Sequence, residues 1–235
     1  MKTFLTYDNL VDKNKKNHNI VMKVVWDWLF LDEFLKNLNP KNSLEIGVNK
    51  GLTFSLIHKY SKHSLGIELS KEYKYPTNWN IIFKDSNKLD NNELGENLFF
   101  DFIHIDGGHS YKQVINDLKK CELYINDNTI ICMDDYSHEI GVLDAVNYFL
   151  KKNKNIFLKC YGISQVFLVT KKSEKIFNEV ILKFEEKTVE LLKLKTCLHI
   201  DIWPHYNDTI VLKKLTNNLK FMYLKDKLQN YFKLV

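Results

Sequence analysis

The chain has 235 residues, 45% of them hydrophobic and 27% charged, which is enough for one sizeable core of ordinary globular composition. No apolar run approaches the roughly 20 residues that cross a bilayer, and Met1 to Lys16 has no apolar signal core, so the expectation is a cytoplasmic protein with no membrane partner. The formal charge of +5 comes from the last 65 residues and is carried by lysine alone; without the arginine fork that reads guanine and phosphate, no nucleic-acid partner is expected.

In chain order, apolar residues first crowd at helical spacing from about Ile20 to Leu38 (Val21, Val24, Val25, Trp28, Leu29, Leu35), ahead of the Asn39-Pro40 stop. Short apolar runs then alternate with helical patterns. Strands are expected at 43–46, 64–68, 80–83, 99–105 and 129–133, with two more between Ile156 and Val169. Helices are expected at 52–60, 111–123 and 142–151. Such alternation predicts a doubly wound, mostly parallel α/β sheet with helices on both faces, a Rossmann-like architecture. From Ser173 on, Phe177, Ile181, Phe184 and Leu191, and later Leu215, Leu219 and Met222, recur at helical spacing. The division expected is an N-terminal helical segment at 1–40, a core at 41–172, and a helical extension at 173–235 serving as lid, cap or dimer interface. Cys121, Cys132, Cys160 and Cys197 are scattered, without a Cys-x-x-Cys pair, and read as reduced thiols.

The first strand runs into a helix through Leu44-Glu45-Ile46-Gly47-Val48-Asn49-Lys50-Gly51. Gly47 lets the chain turn tightly beside a ligand, and Gly51 lets the helix start close to the strand. The glycine pattern of a pyrophosphate-binding loop is incomplete, and Glu45 would repel a pyrophosphate. The same carboxylate would attract the ammonium of a sulfonium amino acid. Glu68 at the tip of the second strand can accept both ribose hydroxyls. Asp85, at the tip of the third with Ser86 beside it, can accept from an adenine amino group. Three acids on three successive strand tips, with a glycine turn after the first, form a candidate nucleoside site made of Glu45, Gly47, Asn49, Gly51, Glu68, Asp85, Ser86 and Asp106.

This order of motifs resembles the class I methyltransferases that use S-adenosylmethionine. The run Phe100-Asp101-Phe102-Ile103-His104-Ile105-Asp106-Gly107-Gly108-His109-Ser110-Tyr111, followed by Asp134-Asp135, resembles the small-molecule and macrocin-type sugar O-methyltransferases, over about residues 40 to 172. Asn49 stands where many relatives have a glycine, and Asn126-Asp127-Asn128 where a Pro-Gly-Gly turn is common; both are turn-compatible. The resemblance implies metal ligands at Asp106, Asp134 and Asp135, whose crowding would call for Mg²⁺ or Mn²⁺. It also implies a proton acceptor at His109. A sugar or other small-molecule acceptor follows from the resemblance alone, with a homodimer as one expectation for the assembly. His104, inside an alternating strand, reads as structural. His138 could line the acceptor pocket, and His58 and His63 read as surface residues. Trp203, His205 and Tyr206 could stack on a sugar, with core packing as the plainer reading.

The rival readings are a nicotinamide oxidoreductase, which Glu45 opposes, and a nucleic-acid methyltransferase, whose Asn/Asp-Pro-Pro-aromatic signature is missing. A non-catalytic protein that binds the nucleoside cofactor would keep the same acids at one end of the cleft.

Overall fold

The computed structural model describes residues 2–3, 22–90, 93–95, 98–162, 164–191, 198–203 and 209–214. The central sheet is built from β1 (Asn42–Ile46), β2 (His63–Glu68), β3 (Asn80–Phe83), β4 (Phe102–Ile105), β5 (Ile130–Met133), β6 (Ile156–Gly162) and β7 (Gln165–Thr170). Their spatial order is β3-β2-β1-β4-β5-β7-β6, with β7 antiparallel to both its neighbours and the five strands from β3 to β5 mutually parallel. β1, β4 and β5 are buried on both faces, which is why they read as continuous apolar runs.

Two strands follow the core and extend the sheet at its β6 edge. β9 (Thr209–Lys214) pairs parallel with β6, and β8 (Leu198–Trp203) pairs antiparallel with β9. The region after Ser173 is therefore not helical throughout: α5 (Ser173–Leu191) forms as the spacing predicts, and strand pairing follows it. The helical pattern around Leu215 to Met222, and His205 and Tyr206, lie outside the described residues.

Helices α1 (Met22–Leu38), α2 (Leu52–Tyr60) and α5 cover one face of the sheet, and α3 (Tyr111–Glu122) and α4 (Ile140–Lys152) cover the other. The first face packs Phe30, Phe34 and Leu35 of α1 against Phe102, Cys132 and Phe167 of the strands and Phe177 of α5. The second packs Leu44, Ile46, Ile103 and Ile105 against Val114, Leu118, Val146 and Phe149. Alternation along β4 sends Phe102 and His104 to the first face and Ile103 and Ile105 to the second. α1 ends where Asn39 turns left-handed (φ 48°) and its N–H bonds back to the Leu35 carbonyl at 2.8 Å, with Pro40 blocking continuation. Ser110 caps α3 by accepting from the Gln113 N–H.

Candidate active site

The chain order reverses between β1 and β4, so their carboxyl ends open a crevice of the kind in which α/β sheets hold ligands. Gly47 lies at its floor with φ 92°, and a Cβ there would stand 2.1 Å from the Asp106 carbonyl oxygen. No other residue type fits both the turn and the close approach to the β4 tip. Asn49 (φ 46°) and Gly51 (φ 83°, the cap of α2) continue the loop.

Below the loop, Glu45, His104 and Cys132 occupy one register row across β1, β4 and β5. His104 Nδ1 lies 2.9 Å from Glu45 Oε1, and both side chains are buried. Burial raises the Glu45 carboxyl above its ordinary range. Burial alone would lower His104, but its hydrogen bonds to Cys132 and Glu45 outweigh it and hold the imidazole well above its ordinary value. Among the described residues Glu45 Oε2 is buried without a hydrogen-bond partner, an acceptor to which a cationic ligand group could donate.

Glu68 ends β2 with its carboxylate already engaged: Oε2 accepts the Asn49 N–H at 2.6 Å and Oε1 the Ser70 N–H at 2.7 Å. Each oxygen keeps a second lone pair that can accept from a ligand hydroxyl. Asp85 Oδ1 accepts the Asn87 backbone N–H at 3.0 Å, the main reason its carboxyl titrates low. Ser86 donates its hydroxyl to Asp117 Oδ1 at 2.6 Å. Asp117, on the buried face of α3, is pushed up to about 6, chiefly by burial. The sequence reading missed it, although an acid in the stripe of Val114, Leu118 and Cys121 was a signal.

At the tips of β4 and β5, Asp106 follows β4 and is pushed up to about 8, first by burial and then by the neighbouring Asp134 carboxylate. Asp135 sits left-handed (φ 58°) just after β5, and burial followed by Asp134 raises it as well. Asp106, His109 and Asp135 each present one ligand atom, all within 4.8 Å of one another. Asp134, expected in that set in place of His109, points Oδ1 at the Asp135 N–H, 2.8 Å away. His109 Nε2 lies 3.1 Å from Asp135 Oδ2 and Nδ1 lies 3.9 Å from Glu139 Oε1. Gly141 of α4 allows that arrangement, since a Cβ there would stand 2.3 Å from the His109 carbonyl oxygen. His138 is exposed beside this cluster, and His63 is exposed as expected. His58 differs: it is half-buried, with Nδ1 2.8 Å from Ser64 Oγ.

Residues 44–136 match the family described as Methyltransferase domain. Among solved structures, the chain is similar to the apo structure of CalS11, a TDP-rhamnose 3'-O-methyltransferase of calicheamicin biosynthesis, at 14% identity and a TM-score of 0.52, over 68% of this chain and 86% of that one. It is also similar to an O-methyltransferase from Bacillus cereus in complex with SAH, at 14% identity and a TM-score of 0.50, over 70% and 90%. A third is the MycE methyltransferase of the mycinamycin biosynthetic pathway in complex with Mg, SAH and mycinamycin VI, at 14% identity and a TM-score of 0.48, over 60% of this chain; this chain spans about half (48%) of MycE's length. No curated protein matches. Likeness to the first two carries the fold alone, and the family match spans the glycine turn and the strand tips from Glu45 to Asp135. Residues 44–136 thus carry the match to a methyltransferase domain, and they lie on a sheet of Rossmann-like strand order.

Proposed function

We propose that the chain methylates a hydroxyl of a small-molecule acceptor, a sugar or glycan by preference, with a divalent cation (Mg²⁺ or Mn²⁺) at the tips of β4 and β5. The observation that carries this reading is the convergence of Asp106, His109 and Asp135 beside the glycine turn of a methyltransferase domain. The donor set fits a cation: after burial, the Asp134 carboxylate raises the carboxyls of both Asp106 and Asp135, and a positive charge among them would relieve that. These three residues would hold it. S-adenosylmethionine supplies an electrophilic methyl on sulfur, and the cation supplies Lewis acidity that lowers the pKa of an acceptor hydroxyl.

The chain's own residues do the rest. Glu45 Oε2 receives the ammonium of the cofactor's amino-acid end, and Glu68 receives the ribose hydroxyls. Asp85 and Ser86 flank the adenine. At His109, a proton on Nε2 donated to Asp135 leaves the lone pair on Nδ1 to take the acceptor's proton, and Glu139 stabilises the imidazolium that results. The sugar preference is supported by the resemblance of residues 100–111 and by CalS11, whose own acceptor is TDP-rhamnose.

The test is calorimetric titration with S-adenosylmethionine and S-adenosylhomocysteine, each with Mg²⁺ and with EDTA, followed by a screen of nucleotide sugars against catechols. Micromolar binding and a metal-dependent turnover of a sugar are expected. Saturable binding of NAD in place of either ligand would overturn the reading. Asp106→Asn should lose at least about 100-fold in turnover while holding S-adenosylhomocysteine within a few-fold of the parent. The 4.8 Å convergence favours a second reading in which His109 is itself a ligand. Mn²⁺ titration of His109→Asn separates the two: unchanged affinity supports the base, and a loss of tenfold or more supports the ligand.

A further inference from the structure

The segment between β2 and β3 carries aromatic side chains that the chemistry above does not use. Tyr75 is stacked between Trp79 (centroids 5.8 Å apart, planes at 23°) and Phe83 of β3 (6.0 Å, 22°). Trp79 in turn meets Phe54 of α2 edge-on at 5.0 Å. A ring pinned by two stacking partners has little rotamer freedom left, so its hydroxyl is aimed by the stack. That hydroxyl donates to the Asn49 carbonyl at 2.5 Å. The N–H of the same Asn49 donates to Glu68 Oε2 at 2.6 Å. Asn49 is thus gripped at its N–H and its C=O by two residues that lie 19 and 26 positions further along the chain.

The grip has a physical reason. Asn49 holds φ 46° at an exposed point in mid-loop, a conformation that costs a residue with a Cβ more than it costs glycine. A loop with glycine there would adopt the shape unaided; with asparagine, something must hold it. We propose that Tyr75 is a positioning residue for the cofactor: acting through Asn49, it fixes the Gly47–Gly51 loop in the shape that receives the amino-acid end of S-adenosylmethionine. This rests on the cofactor assignment under Proposed function.

The experiment is calorimetry on the full chain with two probes, S-adenosylhomocysteine and adenosine, for the parent and Tyr75→Phe. The substitution keeps the ring stack and removes one hydrogen bond, so the variant should fold and melt close to the parent. Affinity for S-adenosylhomocysteine should fall roughly 3- to 10-fold, with adenosine, which lacks the amino-acid end, changing less than about twofold. In turnover, KM for S-adenosylmethionine should rise by the same factor while kcat holds. In an Asn49→Gly background the cost of Tyr75→Phe should shrink, because glycine needs no clamp. Equal S-adenosylhomocysteine affinity in parent and variant overturns the proposal, as do equal losses for both probes or an undiminished cost in the Asn49→Gly background. A parent chain that binds no S-adenosylhomocysteine instead sinks the cofactor assignment itself.

Discussion

Asp117 shows how one buried carboxyl links fold stability to pH. It lies on the sheet-facing side of α3, accepts the Ser86 hydroxyl, and is pushed up to about 6 from an ordinary value of 3.8. As pH rises from 4, the unfolded chain releases this proton first, while the folded chain keeps it until about pH 6. The native state binds more protons across that window, so its stability falls as pH rises through it. Asp117→Asn can still accept from Ser86 through its amide oxygen but cannot titrate. The variant should therefore gain on the parent by up to about 3 kcal/mol between pH 4 and pH 7. Urea melts at four pH values would show this as diverging curves; parallel curves would mean the proton is not held there. Gly47 makes a second test at this scale. Gly47→Ala drives a Cβ to 2.1 Å from a backbone oxygen at φ 92°, and should cost about 2–5 kcal/mol together with most of the cofactor affinity.

At the scale of elements, legibility followed the range of the forces involved. The helix at 52–60 and the strand at 80–83 appear where periodicity placed them, because both are set by local pattern and by the turns that flank them. β4 was expected from residue 99 and begins at Phe102. Asp101 ends the apolar run from the other side: its carboxylate accepts the Lys41 and Asn42 N–H groups at 2.8 and 3.0 Å, tying the start of β1 instead of extending β4. The acids on the strand tips were legible as types at spacings. The Glu45–His104–Cys132 row was not, since alternation gives the face of a strand but not its register with a neighbour. Tyr75 was invisible for the same reason, as its partner Asn49 is fixed only by tertiary structure. Strand β9 depends on pairing with β6, a contact about 50 residues distant in the chain that no local period reports, and β8 pairs in turn with β9. Helix α1 supplies the test here. Phe34 meets Phe102 of β4, Phe167 of β7 and Phe177 of α5 at ring-centroid distances of 6.3, 5.1 and 5.1 Å. Phe34→Ala should cost about 3–5 kcal/mol, measured by chemical denaturation. A cost under about 1 kcal/mol would show that α1 is not integral to that layer.

At the scale of the whole molecule, the crevice joins two halves of one sheet. The β1–β2–β3 side offers Glu68, Asp85 and the glycine turn, and the β4–β5 side offers Asp106, His109 and Asp135. A ligand that touches both halves binds only the folded sheet, so its binding energy adds to the stability of the entire core and not of one loop. Mass action sets the size: S-adenosylhomocysteine at about 100 times its dissociation constant adds about 2.7 kcal/mol. For a chain of this length that is a rise in Tm of roughly 5–10 °C. Tyr75→Phe should give a smaller rise at the same concentration, because its dissociation constant is larger and the same dose is less saturating. Mg²⁺ alone should raise Tm by relieving the crowded carboxylates at the β4 and β5 tips, and Asp106→Asn should abolish that increment while keeping the one from S-adenosylhomocysteine. The two increments in the parent should be close to additive if cofactor and cation occupy separate ends of the crevice. A single increment, lost together in Asp106→Asn, would place both ligands on one set of groups and undo the division of the cleft into a nucleoside end and a catalytic end.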